Sequence, residues 1–261
     1  PATQSVSIQT RIMKRNYVEK EASVWRRYLR PLRSGREGLG FYIYRDHIGL
    51  NDQSGVQLTY AYHISRAKSQ FSMGLTFGIF QYKLNTNQLK LPDATDKLID
   101  NEPMSMIIPD ANVGVYYTNQ GMFAGMSVFN LMRASVMFGN NKNTDFRMKR
   151  QYNIIGGFKY DINNLYTLEP SLYFKTSEQW LPQADIMVKL IYDRKFWFGI
   201  GYRYGNTVIG SMGMKINRFF IGYSYDYSAT ALSYYSYGTH ELMIALKLGD
   251  NTRRYRWIER Y

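Results

Sequence analysis

The sequence predicts an all-β protein, a transmembrane antiparallel β-barrel of about fourteen strands. Three observations carry that prediction. Apolar and polar residues alternate with period two along most of the chain, which sends them to opposite faces of a strand. The connections between these runs switch between short turns and longer loops. Aromatic residues are abundant, with 24 Tyr, 14 Phe and 4 Trp among 261 residues, and barrels gather such side chains where lipid headgroups meet water.

The alternation is plainest in three runs. Phe71, Met73, Leu75, Phe77 and Ile79 share one face of a strand, while Ser72, Gly74, Thr76 and Gly78 share the other. Ile186, Val188 and Leu190 alternate with Asp185, Met187 and Lys189. Leu242, Ile244, Leu246 and Leu248 alternate with Glu241, Met243, Ala245 and Lys247. Small residues mixed with charges suit a wet barrel interior. Read in order, the expected strands fall near 3–13, 39–50, 55–65, 69–84, 109–118, 121–131, 150–162, 165–176, 183–193, 196–205, 207–216, 218–228 and 238–249. Most approach the ~9–11 residues that a tilted strand needs to cross a bilayer.

Short turns are expected at Arg66-Ala67-Lys68, Asn119-Gln120, Asn163-Asn164, Arg194-Lys195 and Asn217. Longer joins lie around 85–108, 132–149, 177–182 and 229–237; a short join at Gly205-Asn206 falls among these. Outer-membrane barrels have short periplasmic turns and longer extracellular loops, and a soluble sandwich has no reason to sort its loops this way. The visible strands number about thirteen, whereas bacterial single-chain barrels close with an even number. An inward-running first strand at 3–13 then calls for an outward strand before it, missing from this chain, to make about fourteen. The barrel is expected over 1–250, with a basic periplasmic excursion at 14–36 and a basic, aromatic periplasmic tail at 251–261.

Composition removes several classes. The mean hydropathy is −0.39, and no apolar run nears the ~20 residues of a transmembrane helix. With no cysteine, disulfides, thiolate metal sites and thiol nucleophiles are excluded. The net charge of +13 suits anionic partners, but much of it sits in Lys14–Arg36 and Arg253–Arg260.

Matches in the same order along nearly the whole chain go further. Gly55-Val-Gln-Leu-Thr-Tyr60-Ala-Tyr62-His63-Ile64, Phe77-Gly-Ile-Phe80-Gln81-Tyr82 and Pro109-Asp110-Ala111-Asn112-Val-Gly114-Val-Tyr116-Tyr117 are three of them. Leu168-Glu169-Pro170-Ser171-Leu172, Leu181-Pro182-Gln183-Ala184-Asp185 and Phe196-Trp197-Phe198-Gly199-Ile-Gly201-Tyr202-Arg203 follow. Ile221-Gly222-Tyr223-Ser224-Tyr225-Asp226-Tyr227 and Gly238-Thr-His240-Glu241 complete the series. Together they resemble the PorP/SprF family. That resemblance implies a non-enzymatic component of the type IX protein secretion machinery in the bacterial outer membrane. The implied partners are outer-membrane lipid, periplasmic ring or peptidoglycan-anchored proteins and secreted cargo, including the adhesins of gliding motility. A porin or small-molecule transporter of similar architecture is the alternative. The Lys14–Arg36 segment is longer than the corresponding family turn.

Candidate sites are few. His63 and Ser65 lie two apart on one strand face, a spacing similar to that of outer-membrane phospholipase. Hydrolysis would also need an orienting group and oxyanion donors, and the chain is read as non-enzymatic. His47, His63 and His240 fall on different strands without metal-ligand spacing, and neither metal nor cofactor is expected. Lys159, Glu169, Asp185, Lys189, Arg203, Asp226 and Glu241 share the interior phase and are read as a structural polar network. Asp161, Lys175, Lys215 and Lys247 have the same phase. Partner contacts are assigned to Trp25, Arg26 and Arg27 in the excursion and to Arg253, Arg254, Tyr255, Arg256 and Trp257 in the tail. Arg and Trp are favoured interface anchors, and a periplasmic tail has no access to nucleic acid.

Overall fold

The computed structural model describes residues 2–12, 36–66, 68–84, 104–133, 135–137, 145–229 and 238–248. They form sixteen strands in chain order and no helix among the described residues. The first five are β1 (Ala2–Ile12), β2 (Glu37–Ile48), β3 (Asn51–Arg66), β4 (Ser69–Leu84) and β5 (Met104–Thr118). β6 (Met122–Phe129), β7 (Ser135–Met137), β8 (Asp145–Arg147), β9 (Gln151–Phe158) and β10 (Tyr160–Asp161) follow. The last six are β11 (Tyr166–Ser177), β12 (Gln183–Tyr192), β13 (Phe196–Arg203), β14 (Thr207–Ile216), β15 (Phe219–Ser228) and β16 (Thr239–Leu246). Fourteen make one antiparallel sheet in the order β1-β2-β3-β4-β5-β6-β9-β11-β12-β13-β14-β15-β16, with β10 paired to β11 beside β9. β7 and β8 pair separately, inside the join expected at 132–149.

The expected strands recur within a few residues, with two instructive differences. β3 starts at Asn51, because Gly49 takes φ +62° and lets the turn close directly after β2. The expected strand at 150–162 is two strands, β9 and β10. Their shared ladder with β11 runs from Ser171↔Gly157 to Tyr160↔Leu168 and lapses between. That gap lies opposite Pro170, which has no amide hydrogen to donate to the ladder; toward β6, Lys159 N bonds Gly121 O at 2.8 Å. The expectation of a missing first strand is corrected here. The fourteen strands of the sheet all belong to this chain, and β1 is the first of them.

The chain packs as two compact units. The first comprises Pro1–Ser65, Phe71–Val115 and Val128–Arg150; the second comprises Arg66–Gln70, Tyr116–Ser127 and Gln151–Tyr261. In each, the faces are inverted relative to a water-soluble fold. On β4 the residues Phe71, Met73, Leu75, Phe77 and Ile79 are exposed, and the alternate positions are shielded. On β13 of the second unit, Phe196, Phe198, Ile200 and Tyr202 are exposed while Gly199 and Gly201 are buried. Among the described residues, the buried hydrophobics are only Phe80, Ile108, Ala111, Phe123 and Ile209. Fully burying one such side chain is worth ~1.5–3 kcal/mol, so rows this long in water would be a severe liability. No helix among the described residues is long and apolar enough to cross a membrane.

Turn chemistry at one rim of the second unit is repeated. Asn119 Oδ1 accepts from Gly121 N at 2.9 Å and Met122 N at 2.8 Å. Asn163 Oδ1 accepts from Leu165 N and Tyr166 N at 2.9 and 2.7 Å in the same way. Both are Asx turns, in which a side chain substitutes for a backbone acceptor. Asp193 and Arg194 take φ +48° and +53°, the left-handed pair that matches a hairpin's twist. Asp193 also accepts a 2.6 Å bond from Lys195 Nζ, which raises the ammonium's pKa above its ordinary value. This pairing holds at neutral pH and is lost as pH rises through that elevated pKa. Being exposed, it adds little stability.

The shielded faces are filled by laying aromatic rings across glycines. Tyr44 faces Gly55 in register, and a Cβ there would come within 2.6 Å of the ring. Trp197 lies against its register partner Gly213 and reaches Gly222 on the next strand. In unit one Phe80 and Ile108 form a small apolar cluster with Tyr44, Tyr82, Met106 and Met148 against it. We predict that Gly213→Ala displaces the Trp197 ring and costs about 1–3 kcal/mol, the range for overpacking. Urea titration of folded protein in detergent, followed by Trp fluorescence, would read this, and an unchanged midpoint would contradict the packing account.

Candidate functional site

The richest polar chemistry lies on the shielded face of the second unit. Register places Glu169 on β11 directly opposite Lys189 on β12, and Asp185 on β12 opposite Arg203 on β13. Glu169 is bridged from both sides, by Lys159 Nζ at 3.4 Å and Lys189 Nζ at 3.3 Å. Arg203 performs the mirror role between two carboxylates, reaching Asp185 and Asp226 at 3.1 Å each. One cluster therefore has two cations around an anion, and the other has two anions around a cation. The six charges cancel.

Neutral groups extend both clusters. Gln183 Nε2 donates to Asp185 Oδ1 at 3.2 Å, and Tyr173 OH donates to Asn153 Oδ1 at 2.9 Å. Lys189 Nζ lies 5.6 Å from the centroid of the Trp197 ring, within cation–π range. The Lys159 and Glu169 side chains are only 9% and 11% exposed, against 33% for Lys189. A charge this shielded is tolerable only while its partner remains.

Of the seven residues expected in the network, six are thus brought into these two clusters. Glu241 is not: it stands opposite Ser224 on β16 and is exposed. Asp161 accepts from Thr167 Oγ1 at 2.7 Å, and Lys215 Nζ lies 5.3 Å from the Phe220 ring centroid. Trp25, Arg26, Arg27, Arg253, Arg254, Tyr255, Arg256 and Trp257 lie outside the described residues.

His63 is on the shielded face of the first unit, and its Nδ1 is 2.8 Å from Ser72 Oγ on β4. Next to it Thr59 and Thr76 share a 2.8 Å hydroxyl–hydroxyl bond. Sequence reasoning paired His63 with Ser65, two residues along the same strand. The neighbour across the ladder, Ser72, escaped it because spacing carries no register information. His47 meets Asp52 across the β2–β3 turn at 2.5 Å, and His240 Nδ1 bonds Tyr223 OH at 2.7 Å. Among the described residues, no group of three or more His, Asp or Glu side chains is placed to hold a metal ion.

An extended antiparallel sheet with apolar rows outward and a charge-balanced polar face defines a membrane protein built from strands. Residues 1–246 match the model of the family described as type IX secretion system membrane protein PorP/SprF. The chain belongs to that family and is a membrane component of type IX secretion. No curated protein matches it.

The Glu169 cluster predicts unequal consequences of mutation at its centre and at its exposed end. Glu169→Gln leaves Lys159 and Lys189 facing each other without their carboxylate and should cost about 3 kcal/mol. Lys189→Met, at the more exposed end, should cost at most ~1 kcal/mol. Urea unfolding in detergent micelles measures both; a Glu169→Gln cost no larger than that of Lys189→Met would contradict the central role of Glu169.

Proposed function

We propose that this chain is an outer-membrane β-barrel that serves type IX secretion by binding other proteins, without catalysis. The observation that carries the membrane half is the unbroken row of exposed apolar side chains on strand after strand. A ten-residue strand such as β12 is ~34 Å long, and tilting it by ~45° makes it span ~24 Å, close to the apolar band of outer-membrane barrels. Aromatics flank that length: Tyr166 and Tyr192 pack at 5.1 Å at one end, and Tyr202, Tyr204 and Tyr227 are exposed toward the other. This is the distribution expected of interfacial belts.

The balanced charges favour an adaptor over an ion-selective porin. A selective conduit presents an excess of one sign to the passing ion, whereas here each charge is neutralised by one on a nearby strand. Purified protein should therefore give no ion-selective conductance in planar bilayers. It should migrate as a heat-modifiable band on gels. Reproducible, cation- or anion-selective channels would replace the adaptor reading with the transporter one. Because His63 Nδ1 is engaged by Ser72 rather than placed on Ser65, no lipase or esterase activity is expected either.

The partners are a periplasmic ring or peptidoglycan-anchored protein of the secretion machinery, and secreted cargo. In this reading the docking element is the Arg-aromatic tail. Trp257 supplies buried apolar area, and Arg253, Arg254 and Arg256 supply charge-assisted hydrogen bonds to acidic residues. Losing a central anchor of this kind costs on the order of 2 kcal/mol, roughly thirtyfold in affinity. Truncation after Asn251 should leave the heat-modifiable band intact while weakening capture of the periplasmic partner and lowering cargo secretion. Unchanged capture and secretion would show the tail to be dispensable. A truncated chain that no longer forms the folded band would assign the tail to assembly instead.

A further inference from the structure

The ladder of the second unit ends on an uncovered strand. Among the described residues, β16 is bonded to β15 and to no other strand. Its residues from Thr239 to Leu246 are exposed on both faces. β12, with a strand on either side, keeps every second residue partly shielded. One bond shows which backbone groups the edge leaves open. Lys247 N donates to Arg218 O at 2.8 Å, so by antiparallel alternation Ala245, Met243 and Glu241 also turn their backbone groups toward β15. The N–H and C=O groups of Leu242, Ile244 and Leu246 therefore point to the open side. The side chains of the same three residues are exposed and continue the apolar row of β15, opposite Tyr223, Ile221 and Phe219. On the membrane reading proposed above, this edge lies in hydrocarbon, where unpaired backbone groups are not tolerated.

We propose that a second copy of this chain covers the edge, β16 against β16, antiparallel about a two-fold axis at Ile244. The proposal rests on the membrane reading and adds a partner to it. A two-fold interface must be self-complementary, and in this register the strand is. Ile244 meets Ile244, and Leu242 meets Leu246 of the second copy, so the open backbone groups face one another. Glu241 then stands directly opposite Lys247 of the second copy, and symmetry repeats the pair at the other end. Both side chains are exposed, and among the described residues neither has a hydrogen bond or ion pair. Lys247 also lies beside Arg218, whose carbonyl it bonds, and like charges set opposite each other repel. A carboxylate from the second copy gives these two cations what Glu169 gives Lys159 and Lys189. Slipping the register by two residues removes the match. Glu241 would then face Ala245, or in the other direction Lys247 would face Met243.

The chain has no cysteine, so one introduced thiol reports the contact in the full chain, in detergent micelles and in liposomes. Ile244→Cys should give a disulfide-linked dimer on mild oxidation, because the pair at the axis holds its Cα atoms ~5.5 Å apart, within disulfide reach. Leu242→Cys and Leu246→Cys should each fail alone, since each residue lies roughly 14 Å from its own copy. Mixed together, those two variants should cross-link. Glu241→Lys sets cations opposite each other at both ends and should weaken dimerisation about tenfold. Glu241→Lys combined with Lys247→Glu should restore it, and sedimentation in density-matched detergent measures both changes without a cross-link. Equal cross-linking at all three positions, dimers indifferent to Glu241→Lys, or no recovery in the double variant would each overturn the proposal. Monomers alone, from a chain that keeps its heat-modifiable band, would overturn it too and leave the membrane reading standing. A chain that never shows that band would remove both.

Discussion

Along strand after strand of the described residues the large apolar side chains lie exposed, as suits a sheet face that meets lipid. A sheet whose apolar face meets hydrocarbon must satisfy its polar groups internally, because an unpaired backbone N–H or C=O there costs several kcal/mol. The continuous antiparallel ladder from β1 to β16 meets that demand for the backbone. Where it lapses, opposite Pro170, the missing donor is that of Pro170 itself, while Lys159 N keeps a bond to Gly121 O on the β6 side. The same demand shapes the turns, where Asn119 and Asn163 side chains take up two backbone donors each.

With the apolar residues turned outward, the opposite face has to be held by polar bonds and by shape. Shape comes from aromatic rings set across glycines, as with Tyr44 on Gly55 and Trp197 on Gly213. Polar cohesion comes from charges matched across strands, so that the desolvation of Lys159 and Glu169 is offset by their attraction. The neutral sum of these six charges fits a wall better than a filter, in keeping with the adaptor role proposed above. The first unit solves the problem differently. Its polar face uses hydroxyl and amide contacts, such as Thr59 with Thr76 and Gln53 with Tyr44, and His63 bonded to Ser72.

Much of this was legible before any coordinates. Period-two alternation assigned Phe71–Ile79 and Ile186–Leu190 to their faces, since strand geometry leaves no other outcome. Asparagines at 119 and 163 marked turns because their side chains imitate a backbone acceptor. Phase also gathered Lys159, Glu169, Asp185, Lys189, Arg203 and Asp226 onto one interior face. It gathered Glu241 too, yet this residue stands opposite Ser224 and outside both clusters. The division of one expected strand into β9 and β10 was missed, although Pro170 was in plain view, because its effect falls on the strand opposite.

The sequence by itself determined the all-β class, the place of most strands, the faces of the alternating runs and the family, because alternation and ordered motifs are local properties of the chain. The tertiary structure alone decided which residues meet. Ladder register, a property of two strands at once, set Glu169 between two lysines and Arg203 between two carboxylates. It also gave His63 to Ser72 rather than Ser65.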